Sequence, residues 1–496
     1  MDPVRLVDTT LRDGAQSLWA SDIPTRLIAE VAEDLVRAEF QAVEVPVNPI
    51  YFKKFVRDLR EDPWEMCRVV ARVLRDVTKA CMGAVSLNPF AGVNPRCLTM
   101  LFFERVAALG ALNRAQLTAN TMDQPKRLFP WLVPFLRALN YQIVFALSYT
   151  LSPRHTDAYY AEKTRELLAF RPDAIYLKDQ GGLLTPDRVR TLLPAIVEAA
   201  GEVPVELHSH CTTGLAPLCY LEAIQLGIRV VHTAIPPLAN GSSQPSVFNV
   251  VHNARYVGVP VRVKEEAVRA ASERLWAFAR REGRPVGMPV EYDYGQYVHQ
   301  VPGGVISNLR FQLRELRMEH RLPEVLEEIV RVRADLGYPI MITPYSQHVA
   351  TQAALNVLTG ERYQLVTDEV IRFALGAFGE DSGYTWMDPE VKDRILGRAR
   401  AREIAAQLEA LREEEEAPLE VVRQKLGMVH ADEETLLLHC IMKGEGEIQG
   451  VKGDGARAPG ASRNSLAVLL ERLSAQAQVR YVAIQKGNTS LVLRSA

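Results

Sequence analysis

Cysteine is scarce and poorly spaced for chemistry. The six present (Cys67, Cys81, Cys97, Cys211, Cys219 and Cys440) form no C-x-x-C pair, so neither a zinc ribbon nor a disulfide framework is indicated, and a reducing cytoplasm is the simplest home. No stretch approaches ~18 uninterrupted apolar residues, so no membrane-crossing helix is expected. The opening Met1-Asp-Pro-Val-Arg has no basic region followed by an apolar core, so no leader is expected either. An excess of one charge is also missing: 58 Lys and Arg against 60 Asp and Glu give a net charge of -2. With its basic residues dispersed, the chain offers no footprint to nucleic acid or to an anionic membrane surface. No Gly-x-Gly-x-x-Gly follows the first apolar run, which removes support for a dinucleotide site. No internal repeat occurs at solenoid periods.

The 496 residues are enough for a large core and two or three domains. To about residue 300, short β-rich runs alternate with amphipathic stretches, the pattern of βα units. Eight runs qualify as strands: 4–8, 42–45, 79–86, 114–118, 142–148, 174–177, 203–208 and 230–233. Eight suggest a closed α/β (β/α)8 TIM barrel rather than an open sheet. Helical pattern dominates residues 301–400, a layer expected near the barrel mouth. Residues 401–442 are a charged helical segment whose Glu413–Glu416 run reads as a solvated face. Residues 443–463 read as a Gly-rich linker. Residues 464–496 read as a small α/β module for docking, with a helix over 465–475 and a hairpin around Lys486-Gly-Asn-Thr-Ser.

The chemistry gathers at strand ends. Asp8-Thr-Thr-Leu-Arg-Asp-Gly-Ala-Gln-Ser follows the first strand, Lys178-Asp-Gln-Gly-Gly the sixth, and His208-Ser-His the seventh. In a barrel these ends converge on one rim. Residues two apart on a strand share a side, so His208 and His210 can reach one ion together. With Asp13 they make three ligands suited to zinc, with cobalt or manganese as alternatives. A protonated lysine has no lone pair, but a neutral Lys178 can take up carbon dioxide as a carbamate and supply an anionic oxygen. Thr343, in Thr343-Pro-Tyr-Ser-Gln, is a hydroxyl with rigid neighbours, expected to complete the site from the helical layer. Against this stands the ordinary role of His-x-His in packing, of strand-end lysines as surface charges and of Gly14 or Gly181 in turns. The common rim favours the metal site.

These segments, together with Glu61-Asp-Pro-Trp-Glu, Ser148-Tyr-Thr-Leu-Ser-Pro, Ser243-Gln-Pro-Ser and Val301-Pro-Gly-Gly-Val-Ile-Ser-Asn-Leu, occur in family order across roughly residues 1 to 400. The chain thereby resembles the carboxyltransferase domain of biotin-dependent enzymes: pyruvate carboxylase, the oxaloacetate decarboxylase alpha subunit and the transcarboxylase keto-acid subunit. The resemblance implies a metal held by Asp13, carbamylated Lys178, His208 and His210. It implies that Arg12 and Gln16 contact an enolisable keto-acid such as pyruvate or oxaloacetate and the enolate formed from it. It further implies that Thr343 relays a proton between carboxybiotin nitrogen and substrate carbon. The expected partners are a separate biotin carrier protein, a biotin carboxylase and a second copy of the chain, with a membrane subunit left open.

Three departures cluster around the substrate. The strand that corresponds to the family's Leu-Leu-Arg-Gly-Ala-Asn segment reads Ala80-Cys-Met-Gly-Ala-Val-Ser-Leu-Asn here and has no arginine, with Ala84 in place of the substrate arginine by ungapped count. Trp-Gly-Gly-Ala becomes Pro46-Val-Asn-Pro, and the aromatic-Arg-aromatic run of the fourth strand becomes Arg114-Ala-Gln-Leu. Arg114 is the candidate to restore the missing positive charge. Its ordinary role is a charge at a strand's outer end. Met442-Lys443 lacks the flanks of a biotin attachment site, so biotin is expected on another polypeptide. Two other readings stay in view. One is a metal-dependent aldol-type lyase or synthase of the same barrel group, and the other is a non-catalytic scaffold subunit of a carboxylase complex.

Overall fold

The computed structural model of the chain describes residues 2–82, 95–315, 317–442, 481–486 and 489–494. Position 84 and the expected 443–463 linker and 465–475 helix lie outside the described residues.

Eight parallel strands close a barrel: β1 (Val4–Asp8), β2 (Ala42–Glu44), β3 (Lys79–Met82), β4 (Arg114–Thr118), β5 (Gln142–Ser148), β6 (Ala174–Asp179), β7 (Val205–Ser209) and β8 (Val230–Thr233). Neighbours pair in chain order and β1 pairs with both β8 and β2, which shuts the sheet on itself. A two-residue strand, β9 (Val261–Arg262), adds to β1 outside the ring. Helices such as Thr25–Arg37, Pro63–Val73, Asp157–Leu168 and Pro186–Ala200 cover the outside. Several start on a side-chain cap: Thr185 accepts from the Arg188 amide, Thr156 from Tyr159 and Asp62 from Trp64, each satisfying an otherwise orphaned donor.

Strand alternation decides which residues meet the helices and which fill the barrel. On β5, Ile143, Phe145 and Leu147 join the large core under the helices, while Val144 and Ala146 pack inward with Ala174 and Tyr176. Val7, Ala42, Ala80 and Val230 form a further small apolar group. Alternate strands contribute Glu44, Gln116, Tyr176 and His232, all fully buried, to one level of the interior by their register. Polar side chains thus take space that branched apolar residues commonly occupy.

The helical region has its own core, including Val325, Ile329, Val332, Val349, Ile371, Phe373 and Ile404. It is fastened to the loops after β4 and β5. Tyr345 donates its hydroxyl to Thr121 O at 2.7 Å, and Arg333 donates to Thr150 Oγ1 at 3.0 Å and Leu151 O at 2.9 Å. The expected charged helix is two helices, Ala399–Glu415 and Leu419–Lys425, divided at Pro418. Glu414 and Glu416 of the acidic run are exposed, as expected of a solvated face, and they make surface ion pairs: Glu416 with Arg96 and Glu414 with Lys425, while half-buried Glu415 also approaches Arg96. The following helix, Glu433–Met442, returns to the barrel and buries Leu436, Leu437 and Ile441 in its core. There Glu434 meets Arg68 and Arg105, each at 2.6 Å. In the terminal unit, Tyr481–Lys486 and Thr489–Arg494 pair antiparallel as a hairpin.

Candidate active site

Asp13, Lys178, His208 and His210 meet at the C-terminal end of the barrel, all buried. Asp13 lies just past β1 in a wide π-helical turn, Thr10–Gly14. Gly14 is required there because a Cβ would stand 2.8 Å from Leu238 O. Asp13 Oδ2 is the focus: Lys178 Nζ lies 3.2 Å from it, His208 Nε2 3.3 Å and His210 Nε2 3.6 Å. One ligand atom from each of Asp13, His208 and His210 falls within 4.8 Å of the others. A buried carboxylate and two imidazoles this close fit a divalent ion of the zinc group.

Asp179 ties together the ends of the two strands that bring in Lys178 and the histidine pair. Its carboxylate accepts from the Leu183 and Leu184 amides at 2.8 Å and from Ser209 Oγ at 2.7 Å, and its carbonyl accepts from the His210 amide. The turn after Lys178 closes through Gly182 at φ +64, where a Cβ would lie 2.6 Å from His210 O. Only glycine suits that approach.

Electrostatics sort the protonation states. Burial pushes the Lys178 amine below its ordinary value, with Arg12 adding to the effect against the pull of Asp13. That favours the neutral amine that carbamate formation requires. Burial opposes ionisation of Asp13, but Arg12, Lys178 and His210 together hold it well below the usual carboxylate range. Desolvation, then Lys178, keeps His208 neutral. Both imidazoles present Nε2 lone pairs. His210 Nδ1 donates to Ser242 O at 2.6 Å, and Gln244 Nε2 donates to Nε2 of His210 at 3.0 Å and of His208 at 3.3 Å.

Arg12 sits beside this group, its Nε 2.7 Å from Glu44 Oε2 and its Nη2 3.0 Å from Asp13 Oδ2. Gln16 is exposed at the rim, where its Oε1 accepts from the Tyr51 hydroxyl at 2.6 Å. Thr343 is exposed in the turn before helix Tyr345–Thr359. Arg114 goes elsewhere. It is the first residue of β4, level with Gln142, whereas Lys178 is level with Ser148, six residues further along β5. Its Nη2 lies 2.7 and 2.6 Å from the two oxygens of Glu206, so its charge is engaged inside the barrel rather than presented at the rim. Sequence reasoning assigns no role to Glu44, Glu206, His232, Gln244 or Tyr51. Of these, only Gln244 carries a signal, inside the Ser243-Gln-Pro-Ser motif.

A parallel barrel with a carboxylate, lysine and two histidines at its C-terminal rim defines a metal-site barrel enzyme. Profile comparison agrees: residues 3–274 match the HMGL-like family, and residues 297–447 match a conserved carboxylase domain. The chain belongs to the HMGL-like barrel enzymes that carry this second domain, the carboxyltransferases of biotin-dependent carboxylases. It is 34% identical over 406 residues to a pyruvate carboxylase subunit of Methanocaldococcus jannaschii, covering 79% of this chain and 68% of that protein. It is 30% identical to the 2-oxoglutarate carboxylase large subunit of Hydrogenobacter thermophilus, over 88% of this chain and 66% of the relative. In fold it matches the carboxyl transferase domain of Rhizobium etli pyruvate carboxylase at a TM-score of 0.76 and 22% identity, covering 89% of this chain and 76% of that one. Among the described residues no helix is long and apolar enough to cross a membrane.

Proposed function

We propose that the chain moves a carboxyl group between carboxybiotin, carried on a separate polypeptide, and an enolisable keto-acid. The observation that carries this reading is the convergence of Lys178, His208 and His210 on Asp13 Oδ2 with Arg12 alongside. A divalent metal held by Asp13, His208, His210 and a Lys178 carbamate, with zinc ahead of cobalt or manganese, supplies Lewis-acid polarisation of the substrate carbonyl.

The chain's own residues do the rest. Arg12, fixed by Glu44 and Asp13, places a permanent positive charge where enolate charge develops. Gln16 accepts from Tyr51 through its oxygen, so its N–H end is what it offers the keto-acid. The Thr343 hydroxyl passes a proton from the substrate methyl carbon to the biotin nitrogen as the carboxyl group passes the other way. For pyruvate, carboxybiotin plus keto-acid then gives biotin plus oxaloacetate, and the reverse sequence decarboxylates. Relatives named for pyruvate and for 2-oxoglutarate support the keto-acid class. A second copy of the chain, a biotin carboxylase and a carrier protein complete the assembly, in the cytoplasm. The carboxylase-domain match over 297–447 favours carboxyl transfer over an aldol-type lyase.

Metal analysis and native mass of the intact chain and of Lys178→Ala test the reading. One metal per chain, with a mass increment of one carbon dioxide that the variant lacks, is expected, together with oxaloacetate decarboxylation stimulated by free biotin. Metal without the increment, or carbon–carbon cleavage indifferent to biotin, points to the lyase chemistry instead. A chain that binds no metal points to the scaffold role.

A further inference from the structure

The two rim histidines are held by different means. His210 Nδ1 meets a main-chain carbonyl, Ser242 O, at 2.6 Å. A carbonyl only accepts, so Nδ1 carries the hydrogen and Nε2 the lone pair. His208 Nδ1 instead lies 3.2 Å from Nδ1 of another histidine, His232. An imidazole nitrogen donates or accepts according to tautomer, so this contact alone fixes nothing.

The next contact does. His232 Nε2 lies 3.0 Å from Glu206 Oε2, and Arg114 Nη2 lies within 2.7 Å of both Glu206 oxygens. All four side chains are buried. A carboxylate paired with a guanidinium accepts only. His232 therefore donates through Nε2–H, its Nδ1 keeps the lone pair, and that lone pair accepts Nδ1–H of His208. His208 Nε2 is left with a lone pair, 3.3 Å from Asp13 Oδ2. Gln244 is compatible with the same outcome: its amide nitrogen lies 3.3 Å from this Nε2, a longer approach than its 3.0 Å contact with His210, so the hold on the His208 tautomer comes from the His232 side. The Tyr176 ring stacks on His232 at 4.9 Å and 22°, which resists rotation of the intermediate imidazole.

We propose that Arg114, Glu206 and His232 are positioning residues that fix the tautomer and ring orientation of His208, so that its Nε2 lone pair faces the metal position. The inference rests on the reading of His208 as a metal ligand. It extends the pattern in which a ligating histidine donates its second N–H to a carboxylate: one further imidazole carries the polarity, and Arg114 anchors the far end. Arg114 thus serves the metal side of the site and not the substrate.

Two substitutions in the full chain separate this role from packing. His232→Phe keeps an aromatic ring against Tyr176 and removes both hydrogen bonds. His232→Gln keeps the polarity, because its amide N–H donates to Glu206 while its oxygen accepts from His208. Zinc affinity by chelator competition is expected to fall about 10–100-fold in His232→Phe and to stay close to wild type in His232→Gln. In ¹⁵N-histidine spectra of the metal-free proteins, His208 should hold the Nδ1–H tautomer in wild type and His232→Gln, and gain the Nε2–H tautomer in His232→Phe. Unchanged zinc affinity in His232→Phe, or equal weakening in both variants with the tautomer unmoved, overturns the proposal. A wild-type chain that takes up no zinc overturns the ligand reading beneath it.

Discussion

Arg114 and Glu206, 92 residues apart in the chain, form a buried ion pair inside the barrel with both carboxylate oxygens within 2.7 Å of one guanidinium nitrogen. Burial alone would raise the Glu206 pKa, yet Arg114 and His232 bring it down to about 2. Removing one partner leaves a buried charge without its counter-ion, which costs about 3–5 kcal/mol. Arg114→Ala should lower stability in urea unfolding by about that amount while leaving the keto-acid KM unchanged at saturating metal. A large rise in KM with unaltered stability would return Arg114 to the substrate.

Asp8 predicts a pH dependence. It ends β1 fully buried and accepts from Thr10 Oγ1 at 2.5 Å. Burial lifts its carboxyl to about 7 against the pull of the Thr10 hydrogen bonds. In the unfolded chain it ionises near ~3.9, so between about pH 4 and 7 the unfolded state loses this proton and the folded state keeps it. Stability is full below the unfolded value and declines as pH rises towards 7, by on the order of 4 kcal/mol from this group. Asp8→Asn should flatten that part of the stability profile, measured by denaturant unfolding across the range.

Gly182→Ala should act on the metal through the backbone. The new Cβ meets His210 O at 2.6 Å and the residue must keep φ +64. Both strains relax by moving the turn after Lys178 away from β7. Zinc affinity should drop, while Gly201→Ala, at the end of helix Pro186–Ala200 where a Cβ meets nothing within 4 Å, serves as the control for positive φ alone.

Thr343→Ala separates proton relay from assembly. The residue is exposed in its turn, so the substitution should leave metal content and melting temperature intact. Biotin-stimulated oxaloacetate decarboxylation should fall by about 10²–10⁴, the range of a positioned proton donor. Thr343→Ser should recover most of it, and an Ala variant at wild-type rate removes Thr343 from the mechanism.

The strands are legible in the sequence because period-2 apolar runs and their polar ends are local features. Asp13, Lys178, His208 and His210 are legible because each ends or follows such a run, and the observed barrel brings them together. Arg114 escapes the same logic. A charge opening a strand gives no sign of whether it turns outward to water or inward to Glu206, and that partner lies three strands away. His232 and Glu206 read as ordinary strand residues until both are seen in one interior. The exposed Glu414 and Glu416 keep the solvated character that a like-charge run suggests, while the pairing of Glu415 and Glu416 with Arg96 is not legible locally because that arginine is some three hundred residues earlier.

Gln244 bridges both rim imidazoles through one amide nitrogen while Thr9 Oγ1 donates to its oxygen at 2.7 Å. The two rings are thereby spaced and aimed by the polypeptide itself. On the metal reading proposed above, folding and metal acquisition would be separable in time: both imidazoles are set beforehand, and entry would ask that the Gln244 amide step aside and that Lys178 exchange its contact with Asp13 for a carbamate. A chelated protein should regain its metal without passing through an unfolded state, on the timescale of a side-chain rearrangement and ion entry rather than of barrel assembly.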